Sequence, residues 1–406
     1  MMRILCNVLL GIATVFILLM SLSAWIKVSP PASVLTTAFR IPYQMTAKYL
    51  VIALMLGLAG YYSFVLVKGI SPRPFSLACT IVLFVCAVLG IMFCTRISTA
   101  KALISGEEYS YIDQINQTYE VAVEDMHISA GMEQLMVYTP LGSERSNTCI
   151  IHLNYGGWAV QDIRMRGWLQ ELCTRQGYSY VQMAGMGSES GNFSDMVKNI
   201  KSGISFLQNE KQYDSIVLAG GSAGGTFSLD IAFGGTYPEI YGEDQIKING
   251  VIALYPMIDA ALNYDYFVLQ GEKNKGIFDR TGDVMYCLLF NGKTGTLAGE
   301  SKLLTERTFG KWEDPDHSLY ELSNVNNLVK DQDIPVLIIA GSNDSMLPIE
   351  DKRELFENWK RQNKSITYLE LPGLDHAFDL MKSSVQNKRM SKEISAWLYK
   401  FTNQGD

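Results

Sequence analysis

Four short segments of this sequence carry side chains and glycines that could supply a nucleophile, an acid, a base and a set of backbone donors. The first is Gly220-Gly221-Ser222-Ala223-Gly224-Gly225, which follows the apolar run 215–219 and precedes a helical segment. A serine hydroxyl is a weak nucleophile unless it is exposed, oriented and paired with a base. A sharp strand-to-helix turn achieves the exposure, and the crowding in such a turn demands small residues beside the serine. The turn also sets Ser222 at a helix N-terminus, where backbone N–H groups and the helix dipole favour developing negative charge. A chain with 34 glycines can produce the pentapeptide as a plain turn, so the flanking strand and helix are what favour a nucleophile.

The base follows by elimination among the four histidines, His127, His152, His317 and His376. Where the serine sits on a strand-to-helix elbow, the chain order is serine, acid, histidine. His127 and His152 precede Ser222, and His152 lies inside a strand, where a structural role is expected. His317 comes before any strand that could carry the acid, which leaves His376, in a loop after the last strand. A loop histidine taken alone is a solvated side chain; order and position single this one out. The acid should follow the penultimate strand, where Gly341-Ser342-Asn343 leads into Asp344. Asp375 is a rival, but a carboxylate next in sequence rarely faces the Nδ1 of its own neighbouring histidine. Glu350 and Asp351 are expected to open the following helix and complement its dipole. Acyl transfer needs donors for a developing oxyanion. The N–H of Ala223 is one, and Gly156 and Gly157, after the strand at 148–154, allow the backbone to approach a reacting carbonyl. The bland alternative for that pair is an ordinary turn.

The elements that would position these residues alternate from about residue 110 onward. Strands are expected at 119–123, 134–138, 148–154, 178–183, 215–219, 250–255, 335–340 and 366–371. Helices are expected at 163–175, 196–207, 349–362 and 391–401. Apolar strands alternating with amphipathic helices imply an α/β fold with a mainly parallel central sheet covered on both faces. Between about 260 and 328 the alternation lapses, with aromatic residues at Tyr264, Tyr266 and Phe267, and the segment reads as a cap inserted into a catalytic domain spanning 110–406.

Residues 1–100 differ in kind: they contain no Asp or Glu and three uncharged apolar runs, 4–26, 49–67 and 75–94. Each run has the length a helix needs to cross a hydrocarbon core, so three transmembrane helices forming an anchor are expected. Buried core helices, or a cleaved signal for the first run, are the alternatives. The runs hold no Asp, Glu, Lys or His that would mark an ion path, which argues against a transporter. With the N-terminus inside, the inner face holds Arg3, Lys68 and Arg73; with it outside, Lys27, Arg40, Lys48, Arg96 and Lys101. The larger second set leans towards a cytoplasmic catalytic domain.

Four motifs in this order resemble the hormone-sensitive-lipase-like branch of α/β-hydrolase esterases. They are Asn154-Tyr155-Gly156-Gly157-Trp158, Gly220-Gly221-Ser222-Ala223-Gly224-Gly225, Gly341-Ser342-Asn343-Asp344 and Gly373-Leu374-Asp375-His376-Ala377-Phe378. The resemblance runs from about residue 119 to the end. It departs from that branch where Asn154 and Tyr155 replace a His and a Gly, and where Gly221 replaces an acidic residue. It implies an α/β-hydrolase with Ser222, Asp344 and His376 as catalytic residues and Gly156, Gly157 and Ala223 as the oxyanion hole. The implied reaction is hydrolysis of a carboxylic ester through an acyl-enzyme, with no metal or organic cofactor.

The net charge of −7 argues against nucleic-acid binding, which needs a basic face. The seven cysteines form neither a zinc spacing nor a disulfide framework. The expected partners are a small-molecule or lipid ester and a bilayer. A serine peptidase or amidase, and a membrane scaffold with an inactive hydrolase fold, are the competing readings.

Overall fold

The computed structural model describes residues 8, 11–15, 17–18, 21–22, 25, 48–68, 73–100, 103–104, 120–128, 133–141, 145–160, 166–234, 246–273, 276–290, 294–328, 333–362, 364–380 and 384–403. Two apolar helices come first, α1 (Lys48–Val67) and α2 (Arg73–Thr99), followed by the edge strand β1 (Leu103–Ile104). Then come β2 (Val121–Ile128), β3 (Glu133–Pro140), β4 (Thr148–Leu153) and the small hairpin β5 (Tyr155–Gly156) and β6 (Ala159–Val160). Next are α3 (Gly167–Arg175), β7 (Ser179–Ala184), α4 (Phe193–Lys211), β8 (Ser215–Gly221), α5 (Ala223–Phe233) and β9 (Gly250–Leu254).

The segment expected to be a cap is helical. It holds α6 (Ala260–Asn263), a π-helical turn Tyr264–Leu269, α7 (Gln270–Lys273), α8 (Ile277–Phe290), α9 (Leu297–Phe309), α10 (Ser318–Leu322) and α11 (Val325–Leu328). The chain ends with β10 (Val336–Gly341), α12 (Ile349–Arg361), β11 (Ile366–Leu371), a 3-10 turn Phe378–Leu380 and α13 (Val385–Asn403).

Among the described residues, nine strands form one sheet in the order β1-β11-β10-β9-β8-β4-β7-β3-β2. The run from β7 to β11 is parallel throughout, while β1, β2 and β3 are added antiparallel at the two edges. The central strands are continuous buried runs, as parallel strands covered on both faces must be. Alternate residues serve opposite faces. Ile151, Leu218, Ala253 and Ile338 join one core with α4, α5 and α12. Ile150, Val217, Ile252 and Leu337 join the other with α3 and α13. The chain runs from β4 out to β7, then returns to the other side of β4 as β8. The sheet therefore has a switch point at the β4–β8 pair, where the carboxyl ends of parallel strands leave a crevice.

Several elements run beyond their expected bounds, β2 and α13 among them. β2 reaches Ile128 because its whole length pairs with β3, support that local composition does not display. α13 starts at Val385, six positions ahead of the expected 391, because Val385 and Met390 are already buried against the sheet.

The second and third apolar runs are helices, as α1 and α2. About half of the first run, 4–26, lies outside the described residues, and the residues described between 8 and 22 are helical. Among those described, one helix, Pro74–Thr99, is long and apolar enough to cross a membrane, and Ile52–Val67 is a shorter apolar helix. The three transmembrane spans expected from the sequence are thus reduced, in the described residues, to one candidate. The pair α1–α2 is not separate from the rest: Met55, Cys86, Phe93 and Ile97 belong to the same core as α3 and α13. Arg389 of α13 donates from Nη2 to the Ala100 carbonyl at 2.7 Å, pinning the end of α2.

Candidate active site

The carboxyl ends of β8, β9, β10 and β11 lie side by side, so the loops after them converge although they are far apart in sequence. β8 ends at Gly221, and α5 begins at Ala223, leaving Ser222 as the single turning residue. Its backbone sits at φ 55° and ψ −126°, a conformation that L residues rarely adopt. The turn is held because the Ser222 N–H donates to the Leu254 carbonyl at 2.9 Å. It is possible only with glycine at position 224, where a Cβ would lie 2.3 Å from the Leu153 carbonyl oxygen.

The three residues singled out by order and position come together. Ser222 Oγ lies 2.9 Å from His376 Nε2. His376 Nδ1 lies 3.0 Å from Asp344 Oδ2. The second oxygen of Asp344 accepts from the N–H groups of Met346 at 3.0 Å and Leu347 at 2.9 Å. Asp344 is fully buried. Burial alone would raise its carboxyl, but the facing His376, Lys352 and the Leu347 N–H outweigh this and hold it below the ordinary carboxylate value.

The rival acid faces elsewhere. Asp375 Oδ1 accepts from Ser345 N at 2.9 Å, from Ser345 Oγ at 2.7 Å and from the His376 N–H at 2.8 Å. It braces the loop rather than the imidazole. Of the other histidines, His152 is fully buried in β4, stacked on Tyr180 with centroids 6.0 Å apart. Burial, with Arg166 nearby, holds it well below its ordinary value, so it stays neutral. His317 bonds through Nε2 to the Trp312 carbonyl at 2.8 Å, between α9 and α10.

Gly156 and Gly157 form the tip of the β5–β6 hairpin at the end of β4, next to β8 in the sheet. Gly157 has φ 56°, which glycine adopts freely. Tyr155 points away from the crevice: it is buried against Phe227 of α5 with centroids 5.0 Å apart. Trp158 packs on both Phe227 and Phe309, linking the hairpin to α9. Leu304 of α9 approaches Gly157 closely enough that a Cβ there would be 3.6 Å from its Cδ1.

Sequence reasoning missed Arg166, Tyr255 and Asp379. They form one buried cluster beside His376, with Arg166 Nε donating to Asp379 Oδ2 and Nη2 to Tyr255 Oη, each at 2.7 Å. No motif ties them together; a lone arginine before a helix and an aspartate in the Phe378–Leu380 turn were the only signals. Among the described residues no group of His, Cys, Asp or Glu side chains is arranged to hold a metal ion.

Comparison with known proteins bears on this arrangement. Esterase LipC of Mycobacterium tuberculosis (strain ATCC 25618 / H37Rv) is 44% identical over 48 residues, 12% of this chain and 12% of that protein. The match therefore spans about an eighth of that relative's length. Esterase B of Lactobacillus rhamnosis (HN001) is similar in structure, with a TM-score of 0.53 and 18% identity, over 72% of this chain and 89% of that one. The Francisella virulence factor BioJ aligns with a TM-score of 0.50 and 16% identity, over 77% of this chain and 90% of that one. At these identities the likeness is one of fold, the mainly parallel sheet of α/β-hydrolases. The BD-FAE family matches residues 135–359, more than half of the sequence, from within β3 into α12, with Ser222 and Asp344 inside the matched span and His376 beyond it. This chain belongs to the BD-FAE family.

Proposed function

We propose that this protein is a serine hydrolase that cleaves carboxylic esters through an acyl-enzyme, working beside a membrane. The reading rests on one observation above all, the unbroken line of hydrogen bonds from Asp344 through His376 to Ser222. In the proposed cycle His376 Nε2 takes the proton of Ser222 as its oxygen attacks the ester carbonyl. Asp344 fixes the ring so that Nδ1–H faces the carboxylate and stabilises the imidazolium that forms. The N–H groups of Gly156, Gly157 and Ala223 receive the oxyanion, with α5 directing its positive end to the same place. His376 then protonates the leaving alcohol, and water, deprotonated by the same imidazole, releases the acid. An ester rather than an amide is favoured by the local match to a protein named an esterase.

The membrane part of the proposal rests on the surfaces of α1 and α2. Leu77, Ile81, Phe84, Val85, Val88, Ile91 and Met92 are exposed along one face of α2, while Leu83, Cys86, Ala87 and Phe93 are buried on the other. A helix apolar all round, with its outer face uncovered, belongs in lipid. In this reading α2 crosses the bilayer with α1 packed along it, and the substrates are lipid esters or acylated molecules at its surface.

The test is direct. The full-length protein should be labelled by a fluorophosphonate probe and should hydrolyse a short-chain p-nitrophenyl ester. Ser222→Ala should lose both. Turnover retained by that variant would refute the nucleophile, and an unlabelled, inactive wild type would refute the enzyme.

A further inference from the structure

The loop that carries His376 is fastened to two distant parts of the chain. Arg166 precedes α3, Tyr255 follows β9, and Asp379 lies three residues beyond His376. Arg166 donates to both of the others, and Tyr255 Oη donates in turn to Asp379 Oδ1. The side chains of Arg166 and Asp379 are 4% and 0% exposed. Tyr255 is fully buried, and its ring meets the His376 imidazole edge to face, with centroids 4.7 Å apart. Its backbone is fixed too: φ is 39°, and its N–H donates to Ile339 at 2.7 Å. Tyr255 thus stands between the strand that leads to Ser222 and the strand that leads to Asp344.

The rest of the loop is held with equal care. Asn387 Nδ2 donates to the Asp379 carbonyl at 2.8 Å, and Gln386 Nε2 to the Phe378 carbonyl at 3.0 Å. Gly221, the residue before Ser222, is shaped to the same cluster. A Cβ there would lie 2.6 Å from Arg166 Nη2 and 2.7 Å from Tyr255 Oη. The missing side chain at Gly221 leaves room for the guanidinium, whose carboxylate partner comes from the histidine loop.

A buried ion pair is a costly way to fill space, since apolar side chains of similar volume often stabilise as well or better. Its value here lies in direction and charge. Burial would make Arg166 easier to discharge, but Asp379 and Tyr255 outweigh this and keep it cationic. Burial holds the Tyr255 hydroxyl neutral. The cluster is therefore one cation and one anion, balanced, behind the aromatic ring that touches the imidazole.

We propose that Arg166, Tyr255 and Asp379 are positioning residues that hold the His376 imidazole against Ser222 and keep the charge behind it neutral. The catalytic consequence rests on the hydrolase reading above; the geometric one does not. Among the described residues, the following ionisable groups bear on the ring, and His152 and Tyr180 face the cluster behind it. Asp344 faces Nδ1, with Lys352 and Tyr266 acting on that carboxylate. Asp375 is turned towards Ser345, Ser222 faces Nε2, and Tyr255 covers one side with Arg166 and Asp379 behind it. Of these groups, Asp379→Asn and Arg166→Met each alter one of the last two and leave the others in place. Asp379→Asn leaves an unbalanced cation behind the ring, which disfavours an imidazolium there. Arg166→Met leaves an unbalanced anion, which favours one. The two variants should therefore act in opposite senses.

The experiment uses the full-length protein in detergent micelles, with two readouts. The first is the pH dependence of His376 modification by diethyl pyrocarbonate, followed by peptide mass spectrometry, which needs no turnover. The second is kcat and KM for a p-nitrophenyl ester across pH. Asp379→Asn and Arg166→Met should move the His376 titration in opposite directions, and the double variant should return it to the wild-type position. Tyr255→Phe, which keeps the ring, should lower kcat by roughly tenfold with KM little changed, as expected of a small misplacement of the base. Shifts in the same direction, or none, would overturn the proposal. Should the single variants not fold, an unchanged kcat and titration in Tyr255→Phe would overturn it equally. Opposite shifts in a protein that turns over no ester would keep the cluster and sink the hydrolase reading; normal turnover without shifts would do the reverse.

Discussion

Asp344 and Asp375 lie on neighbouring loops, are both buried, and differ in what they face. Asp344 reaches the imidazole with one oxygen and two backbone N–H groups with the other. Asp375 spends its carboxylate on Ser345 and the backbone. Asp344→Asn should therefore lower kcat by about four orders of magnitude, as loss of the correct tautomer does in comparable triads, whereas KM should change little. The same variant should change acid stability. A carboxyl held below its ordinary value stabilises the fold above the unfolded pKa of about 3.9, and that contribution is lost as pH falls towards the folded value. Thermal melts between pH 5 and pH 3 should show a shallower loss of stability in the Asn variant than in the wild type.

At the scale of elements, α5 shows how a strained strand-to-helix turn and a stability cost share one helix. Its N-terminus is built around Ser222, with Gly224 packed against the carbonyl of Leu153. One turn from its other end sits Asp230, fully buried, with neither carboxylate oxygen hydrogen-bonded among the described residues. Burial pushes this carboxyl well above its ordinary value. A group raised in the folded state favours folding below its unfolded pKa, about 3.9, and that advantage is lost as pH rises through the folded value. Asp230→Asn should consequently melt at a higher temperature than the wild type at pH 8, with the difference vanishing near pH 4. Equal melting temperatures at both pH values would show that the carboxyl is not held protonated.

At the scale of the whole molecule, the apolar helices and the sheet are one packed body. α2 is fixed to α13, whose own start follows the His376 loop, and β1 continues from α2 onto the outer edge of β11. A lipid-facing helix would thus hold the site at a set height above the bilayer rather than on a loose tether. The full-length protein should stay in the membrane pellet after alkaline carbonate extraction. Arginine at Phe84 and Val88 on the exposed face should release it, each costing about 3 kcal/mol at the centre of a span. Release of the wild-type protein by carbonate would remove the bilayer from the proposed function.

The sequence by itself determined the elements and the candidates for chemistry. Apolar runs of five to seven residues flanked by amphipathic helices suffice for a parallel sheet, because local periodicity records which faces will be buried. Ser222, Asp344 and His376 were legible because each sits just after a strand, in a short loop whose glycines and order are local features. The apolar character of 49–67 and 75–94 was legible for the same reason, though a span in lipid and a helix packed on a core begin from one composition. Only the tertiary structure decided that Tyr155 turns into the core, and that Arg166, Tyr255 and Asp379 meet. Those are matters of side-chain direction between residues far apart in the chain, 213 positions for Arg166 and Asp379, and direction at that range is set by packing, which no local pattern in the chain encodes.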